Sequence, residues 1–162
     1  MKQPDIVAGA VAGLAGGLIA SFVMSQFQTV ASSFNSNSSS STSKSVPANE
    51  KAADKISSNL FGHKLTKAER KEAGEAVHYA MGGVSGMIYG IAAEVAPVTS
   101  TAAGLPFGAA VWAVADDLAV PALGLAKPAR EYPLSTHAYA LSSHLVYGFA
   151  TDVVRRALRR VL

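Results

Sequence analysis

Long stretches without charged residues dominate the pattern of polar and apolar positions along this chain. Asp, Glu, Lys and Arg are absent from four segments, residues 6–43, 76–93, 95–115 and 134–151. A hydrocarbon core about 30 Å thick is crossed by ~20 mostly uncharged residues of helix, so all four segments are long enough, or nearly so. The pattern therefore predicts an all-α fold, a four-helix transmembrane bundle.

Turn and proline signals set the boundaries of the predicted spans. The spans cover residues 6–30, 76–95, 105–125 and 134–154 of a single integral membrane domain, 1–162. Pro121 predicts a kink within the third span, because proline removes a helical hydrogen bond. The first apolar run is long, is rich in Gly and Ala, and is preceded by the single basic residue Lys2. These features favour a retained helix over a cleaved signal peptide.

A polar insert separates the first span from the second. Residues 31–49 are dominated by Ser and Asn and predict a flexible linker. Residues 50–75 mix charges of both signs at helical spacing and predict a polar, partly helical segment. Within it, Thr66 followed by Glu69 fits a capping box. The insert is interpreted as a solvated helical hairpin, or as an amphipathic helix whose apolar stripe lies on the membrane surface or on the bundle.

Composition excludes several classes of chemistry. Only 15% of the residues are charged, against ~25% in typical soluble proteins. The chain has no Cys, which excludes disulfides, iron–sulfur ligation, thiol nucleophiles and c-type haem attachment. No HExxH motif, nucleophile elbow or phosphate-binding loop is present, so we expect no enzyme, no catalytic residues, no metal and no cofactor. A b-type haem on His144 is the alternative that the sequence leaves open.

A basic cluster follows the fourth span and bears on topology. It consists of Arg155, Arg156, Arg159 and Arg160. Basic residues beside a span usually mark the cytoplasmic side, so we expect both termini in the cytoplasm and no nucleic-acid partner. The lysines of the polar insert argue for the opposite orientation, because acidic neighbours count little in this rule.

Glycines recur every fourth residue in two of the predicted spans. Gly9, Gly13 and Gly17 form one track, and Gly82, Gly86 and Gly90 form the other. Small residues let helix backbones approach closely in lipid, where no hydrophobic effect drives association. The tracks predict a glycine-zipper contact between the first two spans. A self-association face is the alternative.

Ionisable residues inside the spans form the candidate site. Inserting a charged residue at mid-membrane costs ~2.5–3.5 kcal/mol, so such residues usually face the bundle interior and serve a function. The candidate ion, proton or solute site comprises His78, Asp116, Asp117, His137 and His144. Antiparallel packing of the third and fourth spans would bring one of the two acids level with His144. Such an Asp–His pair is interpreted either as a proton-handling unit or as a structural hydrogen bond.

Three strings of the sequence resemble a known family. They are AVHYAMGGVSGMIYG (76–90), FGAAVWAVADDLAVPALGL (107–125) and EYPLSTHAYALSSHLVYGFATDVVRRALRR (131–160). In combination they are similar to the YagU-like family of bacterial inner-membrane proteins, a domain of unknown function. The resemblance implies a plasma-membrane protein without an established activity, and it implies that the five candidate residues belong to the recurring pattern. The family pattern has Glu where this chain has Asp117.

Two functions follow from these features. The first is the handling of protons, ions or a small solute at the interior Asp/His site, which amounts to transport. The second is a non-catalytic packing subunit that joins a larger membrane complex through its glycine-track faces. We expect the lipid bilayer as partner in both cases, together with a homo-oligomer or a larger membrane complex.

Overall fold

The computed structural model describes residues 4–35 and 46–162, and it is helical without strands in these ranges. The Ser-rich part of the predicted linker, residues 36–45, lies outside the described residues. The α-helices are α1 Ile6–Asn35, α2 Ala48–Phe61, α3 Lys67–Val95, α4 Leu105–Trp112, α5 Val120–Ala122 and α6 Leu134–Leu158. The 3-10 helices Pro97–Gly104 and Ala129–Glu131 and the π-helix Ala113–Ala119 complete the order. The predicted all-α class is confirmed.

Two of the described helical stretches are long and apolar enough to cross a membrane. They are Ile6–Phe34 and Pro97–Ala122. Helices α3 and α6 have sufficient length but carry more polar side chains, including arginines at the end of α6 and a charged first third of α3. Because hydropathy averages over all faces of a helix, polar groups on an inward face lower the value without being exposed to lipid.

The main helices pack in a bundle whose two ends differ. At the arginine end, which contains Asp5, Glu94 and Arg159, the start of α1 meets the ends of α3 and α6. At the opposite end, called the α2 end, the Tyr139 hydroxyl of α6 donates to the Gln28 carbonyl of α1, 3.3 Å away. Helix α1 therefore lies antiparallel to both α3 and α6, and α2 packs on the first turns of α3.

Glycines from α1 and α3 face each other along the contact between these helices. A Cβ atom on Gly13 would overlap the carbonyl oxygen of Gly86, and one on Gly17 would overlap the carbonyl oxygen of Gly82. The clash would be with backbone, so no change of side-chain rotamer could relieve it. The two helices can approach this closely only because neither carries a side chain at these positions.

A second contact of the same kind joins α4 to α6. A Cβ atom on Gly108 would overlap the carbonyl oxygen of His144, and one on Gly148 would overlap the carbonyl of Gly104. Gly104 has φ 77°, a left-handed conformation that suits glycine, and it begins the turn into α4. This contact holds α4 against α6 at His144, one of the residues of the candidate site.

Large apolar side chains are exposed on the outside of the bundle. Val7 is 74% exposed, Phe22 54% and Leu118 65%. In the stretch Pro97–Ala122, only 11% of the most apolar run of 18 residues is buried within the chain. Exposed apolar surface of this extent is unusual on a water-soluble monomer and indicates that these faces contact lipid or protein.

The polar insert contains the predicted capping box at the start of α3. The Thr66 backbone N–H donates to the Glu69 carboxylate at 2.8 Å, and the Glu69 N–H donates to the Thr66 hydroxyl at 3.4 Å. These hydrogen bonds lower the pKa of the Glu69 carboxyl. The stabilisation is therefore present above the pKa of the unfolded chain and is lost as pH falls through the lower, folded value.

We predict that Gly86→Leu destabilises the bundle by about 3 kcal/mol or more, because its side chain would enter the backbone of α1. The melting temperature of the detergent-solubilised protein, followed by size-exclusion chromatography after heating, measures the effect. Val84→Leu is the matched control, because Val84 is 47% exposed on the same helix. An unchanged melting temperature for Gly86→Leu would contradict the close contact of α1 with α3.

Candidate functional site

The two adjacent acids lie in a π-helical turn between α4 and α5. The turn comprises Ala113–Ala119 and ends directly before the segment that contains Pro121. Pro121 has no N–H to donate to the carbonyl of Asp117, and its ring crowds that carbonyl, so the regular α-helical pattern is interrupted here. The structure thus has a π-helical turn ahead of the proline, where the sequence predicts a kink. Turns of this kind occur frequently at functional sites.

Asp116 faces His144 of α6. The carboxylate oxygen Oδ2 of Asp116 lies 3.7 Å from the ring nitrogen Nδ1 of His144. That nitrogen is within hydrogen-bond distance of the Ala140 carbonyl, 2.9 Å away, which can only accept a proton. Nδ1 is therefore the protonated nitrogen, and Nε2 of the neutral ring has a free lone pair. At 3.7 Å, the Asp116 carboxylate lies close to the His144 ring but is not its hydrogen-bond partner.

Asp117 faces a different histidine. Its Oδ1 lies 3.5 Å from Nδ1 of His137, while Nε2 of His137 donates to the Ala129 carbonyl at 2.9 Å. The Trp112 ring contacts the His137 ring edge-on, with the ring centroids 6.2 Å apart. The indole N–H of Trp112 is buried and has no hydrogen-bond partner among the described residues. The π-turn therefore directs the two neighbouring acids to two separate histidines.

A cavity of about 470 Å³ lies on the Asp116 side of this turn. All six α-helices line it together with the π-helical turn, and its ionisable residues are His78, Asp116, His144 and Tyr147. His78 is held at its edge by Nε2, which lies 3.4 Å from the Ser21 carbonyl. Three of the five predicted site residues thus meet at one cavity, whereas Asp117 and His137 do not line it.

The polar insert contributes to the same cavity. Asn49, Ala52 and Ile56, at helical spacing on one face of α2, form part of its wall. The Lys55 ammonium group donates to the Leu123 carbonyl at 3.0 Å, just after α5. Helix α2 therefore covers the cavity from the α2 end of the bundle, a role that the amphipathic stripe alone did not identify.

A buried ion network lies at the arginine end, and the sequence analysis did not predict it. Asp152 is fully buried and accepts hydrogen bonds from the Tyr89 hydroxyl at 2.9 Å, from Arg155 at 2.8 Å and from Arg156 at 2.6 Å. Arg155 also lies over the Tyr89 ring, 5.6 Å from its centroid. In the sequence, Asp152 lies three and four residues before Arg155 and Arg156, a spacing at which helical side chains form ion pairs. The sequence analysis interpreted these arginines only as a marker of membrane topology.

Glu94 extends this network to α1. Its carboxylate accepts two hydrogen bonds from Arg159, at 2.7 and 3.0 Å, and a third from the backbone N–H of Asp5 at 3.3 Å. A two-pronged arginine–carboxylate contact fixes both direction and distance. The basic cluster at the end of α6 therefore joins three helix ends in addition to carrying charge.

No metal centre is formed in the described part of the chain. Within residues 4–35 and 46–162, no group of three or more His, Asp or Glu side chains lies close enough to hold a metal ion. The Asp–His contacts of the candidate site are pairs.

We predict that Asp152→Asn destabilises the fold by about 3–5 kcal/mol, because it leaves the buried Arg155 without its counter-charge. The melting temperature of the purified protein in mild detergent measures the loss. Glu131→Gln is the matched control, since its contact with Lys127 is exposed and such pairs contribute about 0–1 kcal/mol. Equal melting temperatures for the two variants would contradict a structural role for Asp152.

Comparison with known proteins gives one match. No curated protein matches the chain, and no solved structure matches it. A family model described as "Protein of unknown function (DUF1440)" matches residues 54–153, which contain the π-turn, the cavity histidines and Asp152. Because this match covers more than half of the 162 residues, the chain belongs to the DUF1440 family of proteins of unknown function.

Proposed function

We propose that this chain is a four-span protein of the bacterial inner membrane that handles protons, ions or a small solute at the cavity beside Asp116. The observation that carries the proposal is a half-buried acid, Asp116, that lies beside His144 and faces a cavity also lined by His78. Acids at such positions are costly in a membrane and usually belong to ion or solute pathways. On the motifs quoted above, we also propose that the family is the YagU-like one.

The distribution of exposed side chains supports the membrane part of this proposal. Apolar side chains cover the outside of α1 and of the stretch Pro97–Ala122, whereas several polar residues of α6 are buried in the bundle. His144, Ser143 and Asp152 of α6 are all buried. Residues 76–95 and 134–154 would then cross the bilayer as inward-facing partners of the two more apolar helices.

The contacts at the arginine end support an even number of spans. Asp5 near the start of α1 and Arg159 after α6 both contact Glu94, so both ends of the described chain lie at this end. We propose that the arginine end faces the cytoplasm, following the usual excess of basic residues there. The α2 end, with the polar insert, would then face outward.

Occupied glycine tracks weigh against the alternative function of a packing subunit. Gly13 and Gly86 contact each other within the chain, and so do Gly17 and Gly82. These faces leave no free glycine surface on which a partner could dock. A partner would have to contact the exposed apolar side chains instead.

We predict that the two ends of the bundle differ in access from outside the cell. Because the chain has no Cys, single cysteines report their own location without background. In bacterial spheroplasts, a membrane-impermeant maleimide should label Asn59→Cys in α2, whereas Leu162→Cys should be labelled only after permeabilisation. Labelling of both variants, or of neither, before permeabilisation would contradict the proposed topology.

We predict that purified protein in liposomes conducts protons in a pH-dependent way and that Asp116→Asn lowers this flux at least tenfold. The amide keeps the shape of the side chain but removes its charge and its proton-binding capacity. A pH-sensitive dye trapped in the liposomes measures the flux after a pH jump. The exposed Glu131→Gln variant should retain the flux of the unmodified chain, and equal flux for Asp116→Asn would refute the proton form of the proposal.

A further inference from the structure

The hydrogens of several polar groups around the cavity are already donated elsewhere. The Tyr147 hydroxyl donates to the Gly82 carbonyl at 2.6 Å, and the Ser21 hydroxyl donates to the Gly17 carbonyl at 2.9 Å. Nδ1 of His144 is committed to the Ala140 carbonyl. Ser21 is fully buried between α1 and α3, so what Tyr147 and His144 can still offer to an occupant of the cavity are lone pairs, on the hydroxyl oxygen and on Nε2 of the imidazole.

Asp116 adds a carboxylate with free hydrogen-bonding capacity. Within the described residues it accepts no hydrogen bond, and the ring nitrogen Nδ1 of His144 lies 3.7 Å from it. By contrast, the carboxylates of Asp152 and Glu94 in the ion network each accept three hydrogen bonds. Arginines donate most of those hydrogen bonds, whereas in the described part of the chain Asp116 forms no ion pair with an arginine or a lysine. The cavity thus presents a carboxylate close to the acceptor atoms of Tyr147 and His144.

Most of the remaining cavity wall is apolar. Met24 of α1, Met81 of α3 and Val111 of α4 line it together with Ala119 of the π-turn. A volume of about 470 Å³ falls within the ~300–1,000 Å³ typical of small-molecule sites. Such walls favour an occupant with an apolar body, and methionine side chains adapt to bodies of different shape.

We propose that the cavity binds a primary ammonium ion that carries a short apolar body. Its three N–H groups would donate to the Asp116 carboxylate and to neighbouring acceptors, and its hydrocarbon part would contact the methionines. A quaternary ammonium ion has no N–H to donate to these acceptors. A bare metal ion fits less well, because the described residues hold no group of three or more His, Asp or Glu side chains that could bind one. The proposal deepens the proposed function by naming the solute of the same site, and therefore rests on it.

Calorimetric titration of the full chain in lipid nanodiscs tests this proposal with three ligands that share one hydrocarbon body. Hexylammonium should bind saturably with one site per chain, whereas hexanol and hexyltrimethylammonium should bind at least tenfold more weakly. Equal binding of hexanol would show that the apolar walls alone act. Equal binding of hexyltrimethylammonium would show that N–H donors are not needed, and either result overturns the proposal.

Variants identify the group responsible. Asp116→Asn should weaken hexylammonium binding at least tenfold. The heat that remains with this variant measures how much hexylammonium simply dissolves in the lipid of the nanodisc. Asp117→Asn is the matched control, because it removes the neighbouring charge outside the cavity and should leave the affinity within twofold. If Asp116→Asn does not fold, Ala119→Leu fills the cavity without removing a charge and should weaken binding by a similar factor. Unchanged affinity in the folded variant would overturn the proposal.

Comparison with the flux assay separates this inference from the function on which it rests. Proton flux that depends on Asp116, combined with no saturable hexylammonium binding, would refute the ammonium site and leave the proposed function standing. Saturable binding that Asp116→Asn abolishes, without proton flux, would instead support the ammonium site and refute proton conduction.

Discussion

Backbone contact over glycine is the constraint on which the rest of this structure depends. Because Gly13 and Gly86 carry no side chains, α1 and α3 touch along their length, and the Ser21 carbonyl comes within reach of His78. The same kind of contact between Gly108 and α6 sets the position of the π-turn along α6, next to His144. The candidate cavity is therefore bounded by helices whose separations are set by residues outside the site.

The carboxylates of the bundle differ in how many hydrogen-bond partners they have. At the arginine end, Asp152 and Glu94 each receive a full set of hydrogen bonds, so their burial is compensated and their contacts hold helix ends together. At the π-turn, Asp116 has a histidine beside it and a cavity in front of it. The Asp116 side chain is 40% exposed, and a convergent polar group at the wall of a largely apolar cavity is typical of a small-molecule site. This contrast, within one small domain, distinguishes a structural ion network from a candidate binding site.

Membership of a family of unknown function supplies no activity that could be carried over to these residues. The physical argument therefore starts from the site. The proposed binding of a proton, or of a cation that bears N–H groups, is argued from a carboxylate beside one histidine, an acceptor nitrogen and apolar walls. The second acid, Asp117, lies outside the cavity and contacts His137. The His137 ring also contacts Trp112 and donates a hydrogen bond to the Ala129 carbonyl.

The sequence by itself determined the helical class, the glycine spacing and the capping box, because each is encoded within a few neighbouring residues. Thr66 and Glu69 form their box from local geometry alone, and glycines four apart must share a helix face. Tertiary structure alone decided which acid contacts which histidine. Helical periodicity does not continue through a π-turn, so the directions of Asp116 and Asp117 depend on how α4 packs on α6. The ion network depended on tertiary structure for the same reason, since Asp152 and Tyr89 are distant in sequence and meet only when α3 and α6 pack together.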